Sequence, residues 1–434
     1  LENKQKVYAG FMDNDATVYG RKFFDKSYVD LTADFMQKVR YAYGYNTETP
    51  YEFLKKNIRL SYIDAGASLS FVSLNLDSAD LSYDLGVSYD YFRNAGDGNM
   101  NHVGFNGKMA TLYKGFYLGG GLDIDHYTLS KSLGIDPKYI LTFSPFVKKS
   151  TDQWNFHLGA GLSLEKNLDS KVKAYIHPDL EFGFSVVPQY VRFFAELGGR
   201  LENNEPMNII RENPFLLPGR PIYCIPNTNH AIVISAGLKG NSGIGGNYVL
   251  SASYSIVNKM IFYSNIFYPP TSGMDQRGNY FTIQPDDAEV FNVHGELSGK
   301  FSKRMSFNSS VDYYKYTLSA NQYAWNKSDW KGRMGLFYNL RDKIIAGAEV
   351  TALGSRKLLV GQLAMIPVGG GVTSDSRVIE QPVHVNLGLS AEYRYTRILS
   401  FWVKVDNVSW NRYYEWAFYP SQMFNIMAGF SYSL

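Results

Sequence analysis

The sequence predicts an all-β chain: a closed antiparallel transmembrane β-barrel of about 20 strands (range about 16–22), one domain over residues 1–434. Three observations carry this. Apolar and small polar residues alternate over unusually long stretches. Aromatics make up 16% of the chain and charged residues only 19%. The links between the alternating stretches are short and long by turns.

In Leu81–Phe92 the odd positions are Leu81, Tyr83, Leu85, Val87, Tyr89 and Tyr91, against Ser82, Asp84, Gly86, Ser88 and Asp90. In Trp154–Glu165 one face carries Trp154, Phe156, Leu158, Ala160, Leu162 and Leu164, and the other Asn155, His157, Gly159, Gly161, Ser163 and Glu165. Phe291–Phe301 and Phe424–Leu434 repeat the pattern. Pro382–Thr396 gives its clearest form, with Val383, Val385, Leu387, Leu389, Ala391, Tyr393 and Tyr395 on one face. A period of two is a strand with two unlike faces. Strands of soluble proteins average about 5–6 residues, whereas a tilted membrane-crossing strand needs about 9–11. A soluble sandwich would also carry many more Lys and Glu on its outer face. Here the polar face is Gly, Ser, Asn and scattered charges, which suits a wet interior, and the apolar face suits lipid.

The connections follow. Backwards from the C-terminus, Thr396–Ile398, Arg341–Lys343 and Ser302–Arg304 are tight. Between them lie the long segments Gly354–Gln381, Ser319–Asp329 and Ile266–Asp287. Short turns at one end and long loops at the other are the outer-membrane arrangement, and bacterial barrels have an even strand number. A barrel of this width would leak if empty, because diameter grows with strand number. The segments expected to fill it are Glu202–Asn229, Ile266–Asp287 and Gly354–Gln381, a partner protein being the other candidate.

Composition excludes other classes. No apolar run is long enough for a transmembrane helix. The nearest, Leu358–Val372, is interrupted by Gln362 and Pro367 and reads as a loop. Mean hydropathy is −0.23. The 43 basic and 40 acidic residues nearly balance, so no nucleic-acid partner is expected. Cys224 is the only cysteine, which excludes an internal disulfide and a cysteine metal cluster. No signal peptide is visible at Leu1, and the strands favour reading the chain as mature.

Candidate chemistry is sparse. None of the seven His has metal-ligand spacing, and no G-x-S-x-G, H-E-x-x-H or phosphate loop occurs. No enzyme, cofactor or metal is therefore expected. A barrel hydrolase would need His157, His294 or His384, which alternation turns inward. The residues expected to line the lumen are Asp84, Asp90, Asp123, Asp125, Glu181, Arg192, Arg200, Lys331, Arg333, His384 and Glu392. Opposed rows of acids and bases would sort solutes by charge; the same residues also serve to solvate the wall or hold an inserted loop. Tyr413, Tyr414, Trp416 and Tyr419 form an aromatic loop suited to a ligand or partner, the alternative being an aromatic girdle at the headgroups.

The C-terminal stretch Val403–Leu434 resembles the end of TonB-dependent receptor barrels, and Glu212–Gly219 (ENPFLLPG) with the long loops resembles such barrels of the Bacteroidota. Asn407, Asn411–Tyr414, Tyr419–Pro420 and Gly429–Phe430 stand where that family has its Asn-rich turn, N-x-x-Y element, Pro–aromatic stretch and last strand. Leu434 replaces the usual final Phe. The resemblance implies residence in a Gram-negative outer membrane, lipid contact, and passage or capture of a solute. Strand-like sequence at Lys6–Phe11 and Thr17–Phe24 leaves no room for the family's plug within this sequence, so either a shortened chain or a plug-less relative is expected. The alternative is an accessory barrel in a larger envelope complex, docked to a surface lipoprotein or another barrel.

Overall fold

The period-two stretches become strands because alternating side chains fall on the two opposite faces of a pleated chain, whereas on a helix they would scatter around it. The computed structural model describes residues 9–44, 55–74, 81–96, 98–168, 171–267, 279–363 and 374–433. In order, its strands are β1 (Met12–Phe23), β2 (Ser27–Tyr41), β3 (Arg59–Ser73), β4 (Ser82–Arg93), β5 (Asn99–Tyr113), β6 (Phe116–Leu129), β7 (Lys138–Ser150), β8 (Trp154–Lys166), β9 (Val172–Val187) and β10 (Val191–Glu202). They continue as β11 (Thr228–Asn241), β12 (Asn247–Phe267), β13 (Tyr280–Lys300), β14 (Met305–Leu318), β15 (Trp330–Leu340) and β16 (Ile344–Leu353). Then come β17 (Arg356–Leu363), β18 (Ser374–Gln381), β19 (His384–Arg394), β20 (Leu399–Asp406), β21 (Tyr414–Trp416), β22 (Tyr419–Pro420) and β23 (Asn425–Tyr432). Two short helices, α1 (Pro206–Glu212) and α2 (Arg220–Tyr223), interrupt the pattern.

From β1 to β16 each strand pairs antiparallel with the next, and β19, β20 and β23 continue the meander. The faces are those read from the sequence. Outward residues are exposed as a lipid-facing wall requires, Val18 at 72%, Ile176 at 77% and Leu250 at 55%. Tight turns collect at one end. At Lys114–Gly115 both residues have positive φ (48° and 79°), the two-residue turn whose twist suits a hairpin.

The sheet is rolled. Between β3 and β13 lie ten strand spacings, about 48 Å in a flat sheet. Yet the Tyr280 hydroxyl, on β13, donates to the Asn57 carbonyl just before β3 at 3.3 Å.

The roll is not closed, which corrects the expected closed barrel. Among the described residues β1 pairs with β2 alone and β23 with β20 alone. The meander has nineteen strands, an odd number, so its first and last strands run in the same direction. They therefore cannot meet as the antiparallel neighbours that an even-numbered ring provides. The observed architecture is an open sheet of 21 strands, β17 and β18 being an arm.

Two expected loops are also partly strand. β12 and β13 each run 21 residues, well past the wall, so much of Ile266–Asp287 belongs to them, while residues 268–278 lie outside the described residues. Leu358–Val372, expected as a loop, begins inside β17, which pairs in parallel with the far end of β12 from Ser264↔Leu359 to Phe267↔Gln362. The extended β12 offers a free ladder there, and the β-branched and leucine side chains of β17 fit it. Residues 364–373, Lys6–Tyr8 and Leu434 also lie outside the described residues.

Candidate functional site

The buried core sits at the long-loop end, where residues 203–227 fold back across the mouth as a lid. Pro206 opens α1, where its missing N–H leaves no bond unmade. Met207, Ile209 and Ile210 of α1, then Leu216, Ile222, Tyr223 and Ile225, are at most 6% exposed. Gly219 starts α2 at φ 92°, a backbone conformation that a side chain would strain.

Polar ties hold both feet of the lid. Asn204 donates from its backbone to Asn227 Oδ1 (3.1 Å) and from its amide to the Pro226 carbonyl (2.8 Å) and Thr228 Oγ1 (2.9 Å). Toward β3–β7, the Tyr62 hydroxyl donates to the Pro214 carbonyl, Tyr223 to the Gly98 carbonyl (2.7 Å), and buried Lys138 to the Tyr223 carbonyl. Burial pushes the Tyr223 phenol up to about 12, which keeps it a donor. Toward β12–β13, Leu217 and Phe215 exchange backbone hydrogen bonds with Phe281, and the Tyr263 hydroxyl donates to Glu212 (2.8 Å).

The aromatic loop seals the lid. Tyr419 stacks on Phe215 with ring centres 3.7 Å apart, and Trp416 sets its edge against Tyr263 and Phe281. Gly44 lies beneath; a Cβ there would come within 2.8 Å of the Tyr419 ring and 2.9 Å of the Phe418 carbonyl. Arg356, at the start of the arm, donates to the carbonyls of Tyr414 (2.9 Å) and Glu415. Burial lowers its pKa.

Beneath the lid, His102 is clamped between two carboxylates on neighbouring strands, Asp90 (3.1 Å from Nδ1) and Asp125 (2.8 Å from Nε2). Tyr127 stacks on the imidazole at 4.4 Å and donates to Glu205, the residue that caps α1. Wall and lid foot thus share one polar network. Replacing His102 by Leu is expected to destabilise the network by about 1–3 kcal/mol, because both carboxylates lose their shared donor. Hydrogen exchange at Asn203–Glu205 should speed up while the distant turns stay protected.

The other expected lumen residues are dispersed. Asp84 lies across from Lys108 in the ladder, and Asp123 is one inward position from Asp125. Glu181 lies between His157 and Glu196, but the His157 ring meets Asp179 (2.9 Å). Arg192 donates to Ser185 and Asn155. A register shift between Gly198 and Arg200 breaks the alternation, and Arg200 pairs with Glu202 beside His230. Lys331 approaches Asp312 (3.7 Å), Arg333 meets Glu349 (2.7 Å), and Glu392 meets Arg394 (3.2 Å). His384 stacks under Tyr413 at 3.5 Å. On β2–β6 the inward ladder positions carry Asp34, Asp64, Asp84, Asp90, Asp123 and Asp125 against Lys38, Arg40 and Lys108, so acid is in excess there.

Of the aromatic loop, Trp416 (7% exposed) and Tyr419 (2%) are packing residues of the lid, and Tyr413 and Tyr414 are half-buried beside it. Exposed Trp410 stacks on Phe424, as a girdle residue would. Sequence reasoning missed His102, Tyr127 and Glu205. Alternation through Asn99–Tyr113 would have turned His102 inward opposite Asp90, but Glu205 carries no periodic signal. Among the described residues no group of three or more His, Cys, Asp or Glu is placed to hold a metal ion.

No family model and no curated protein matches the chain. Solved structures do. The siderophore receptor PirA from Acinetobacter baumannii matches with a TM-score of 0.70 at 12% identity, over 99% of this chain and 72% of that one. The FrpB iron transporter from Neisseria meningitidis matches at 0.68 and 10% identity, over 97% and 72%. A mutant of the ferric enterobactin receptor PfeA from Pseudomonas aeruginosa matches at 0.67 and 12%, over 100% and 71%. The chain thus spans somewhat over two thirds of these structures' length. At such identity the likeness is one of fold: the TonB-dependent-receptor-like fold of outer-membrane proteins, as the C-terminal residues led one to expect.

Proposed function

We propose that the chain is the wall and gate of an outer-membrane transporter or receptor, which captures a solute at a lidded mouth and admits it along the inner face. The observation that carries this is the lid. Residues 203–227 bury their own apolar core across the mouth and are tied to strands on both sides of it. A wall that served only as scaffold has no use for such a closure. The outward apolar face supports residence in the outer membrane. The acid-rich face on β2–β6 favours cationic over anionic solutes.

The test is uptake by cells carrying the protein, using a cationic and an anionic dye of similar size. With Ile210→Asp, which releases the lid, entry of the cationic dye is expected to rise well above wild type and above that of the anionic dye. If protease confirms an open lid and neither dye enters faster, the gate reading fails. A partner co-purifying at equal stoichiometry would then favour an accessory subunit.

A further inference from the structure

The two seams of the lid differ. On the β3–β7 side the side chains interlock, and Tyr62, Tyr223 and Lys138 spend their donors on carbonyls across the seam. On the β13 side a cavity of about 230 Å³ remains, lined by Leu216, Leu217, Pro221, Ile222, Cys224 and Pro226 of the lid and by Phe281, Thr282, Ile283 and Pro285 of β13. Its side chains are almost all apolar. Only Cys224 and Thr282 bring a polar side-chain atom. Pro221, Pro226 and Pro285 have no N–H to offer, and the N–H groups of Leu217, Phe281, Ile222 and Cys224 are already bonded to carbonyls. Cavities lined by such side chains take up small hydrocarbons such as benzene. The three proline rings are stiff, so the space is formed before anything enters it.

We propose that this cavity is a binding subsite for a neutral apolar group about the size of one aromatic ring system, carried by the solute that meets the lid. Whole-ligand pockets run to about 300–1,000 Å³, so this one holds a group rather than an entire solute. The assignment rests on the reading of residues 203–227 as the lid that solute meets. It adds the class of group recognised there.

The probe is 2-naphthol and the reporter is Cys224, the chain's only thiol. Equilibrium dialysis against the detergent-solubilised protein should give one saturable site per chain. Bound naphthol should slow alkylation of Cys224 by N-ethylmaleimide about ten-fold at ten times Kd. Ile283→Trp, which fills the cavity from the wall, and Leu217→Trp, which fills it from the lid, should each abolish saturable binding. The proposal is overturned if no saturable binding is found, or if binding survives both substitutions. Neither measurement involves uptake. A failed subsite therefore leaves the gate reading intact, and a failed gate reading leaves the naphthol result intact.

Discussion

Ala252→Arg is expected to destabilise the embedded protein by about 2–4 kcal/mol, while Ser253→Arg, one residue along, changes stability by less than about 1 kcal/mol. Both lie midway along the part of β12 that belongs to the wall. Ala252 faces outward between Ala236 and Val293, and Ser253 inward between Ser235 and Asn292. A guanidinium at the first position is held in hydrocarbon, where desolvation is paid in full. At the second it stands in water beside neutral hydroxyl and amide groups. Urea-driven unfolding from lipid vesicles measures both. Equal losses would mean that the two faces see the same solvent, and the membrane reading of the alternation would fall.

Ile210→Asp is the second large effect. Ile210 is fully buried in the lid, within the cluster formed with Tyr62, Tyr223, Phe281 and Tyr419. An unpaired buried carboxylate costs about 3–5 kcal/mol, which exceeds what the polar ties at each foot return. The lid is expected to lift while the wall, whose ladders do not involve it, stays folded. Limited proteolysis should cut within residues 203–227 and nowhere in the strands. Ile210→Val, which removes one methylene, should cost only about 0.5–1.5 kcal/mol and leave the lid resistant. Cleavage of the strands at the same rate would show that lid and wall unfold together.

The wall is legible in the residues alone. Alternation with a period of two is a local property, and lipid on one side with water on the other enforces it residue by residue. The faces of Leu81–Phe92, Trp154–Glu165 and Pro382–Thr396 could therefore be read without a neighbour in view. The end carrying long loops was equally legible, because turn length is written in the chain. Where the sequence failed, the cause was distant contact. Closure depends on the direction in which the two terminal strands meet, eighteen strand steps apart, and no local pattern encodes that. The extra turns of ladder in β12 and β13 exist because β17 and the lid pack against them. Trp416 and Tyr419 looked like surface aromatics, since nothing near them in sequence announces Phe215 or Gly44. His102 became the centre of a network only once three strands and the lid foot brought Asp90, Asp125, Tyr127 and Glu205 around it. The lid itself obeys neither a period of two nor one of 3.6, so its closure was decided by tertiary packing alone.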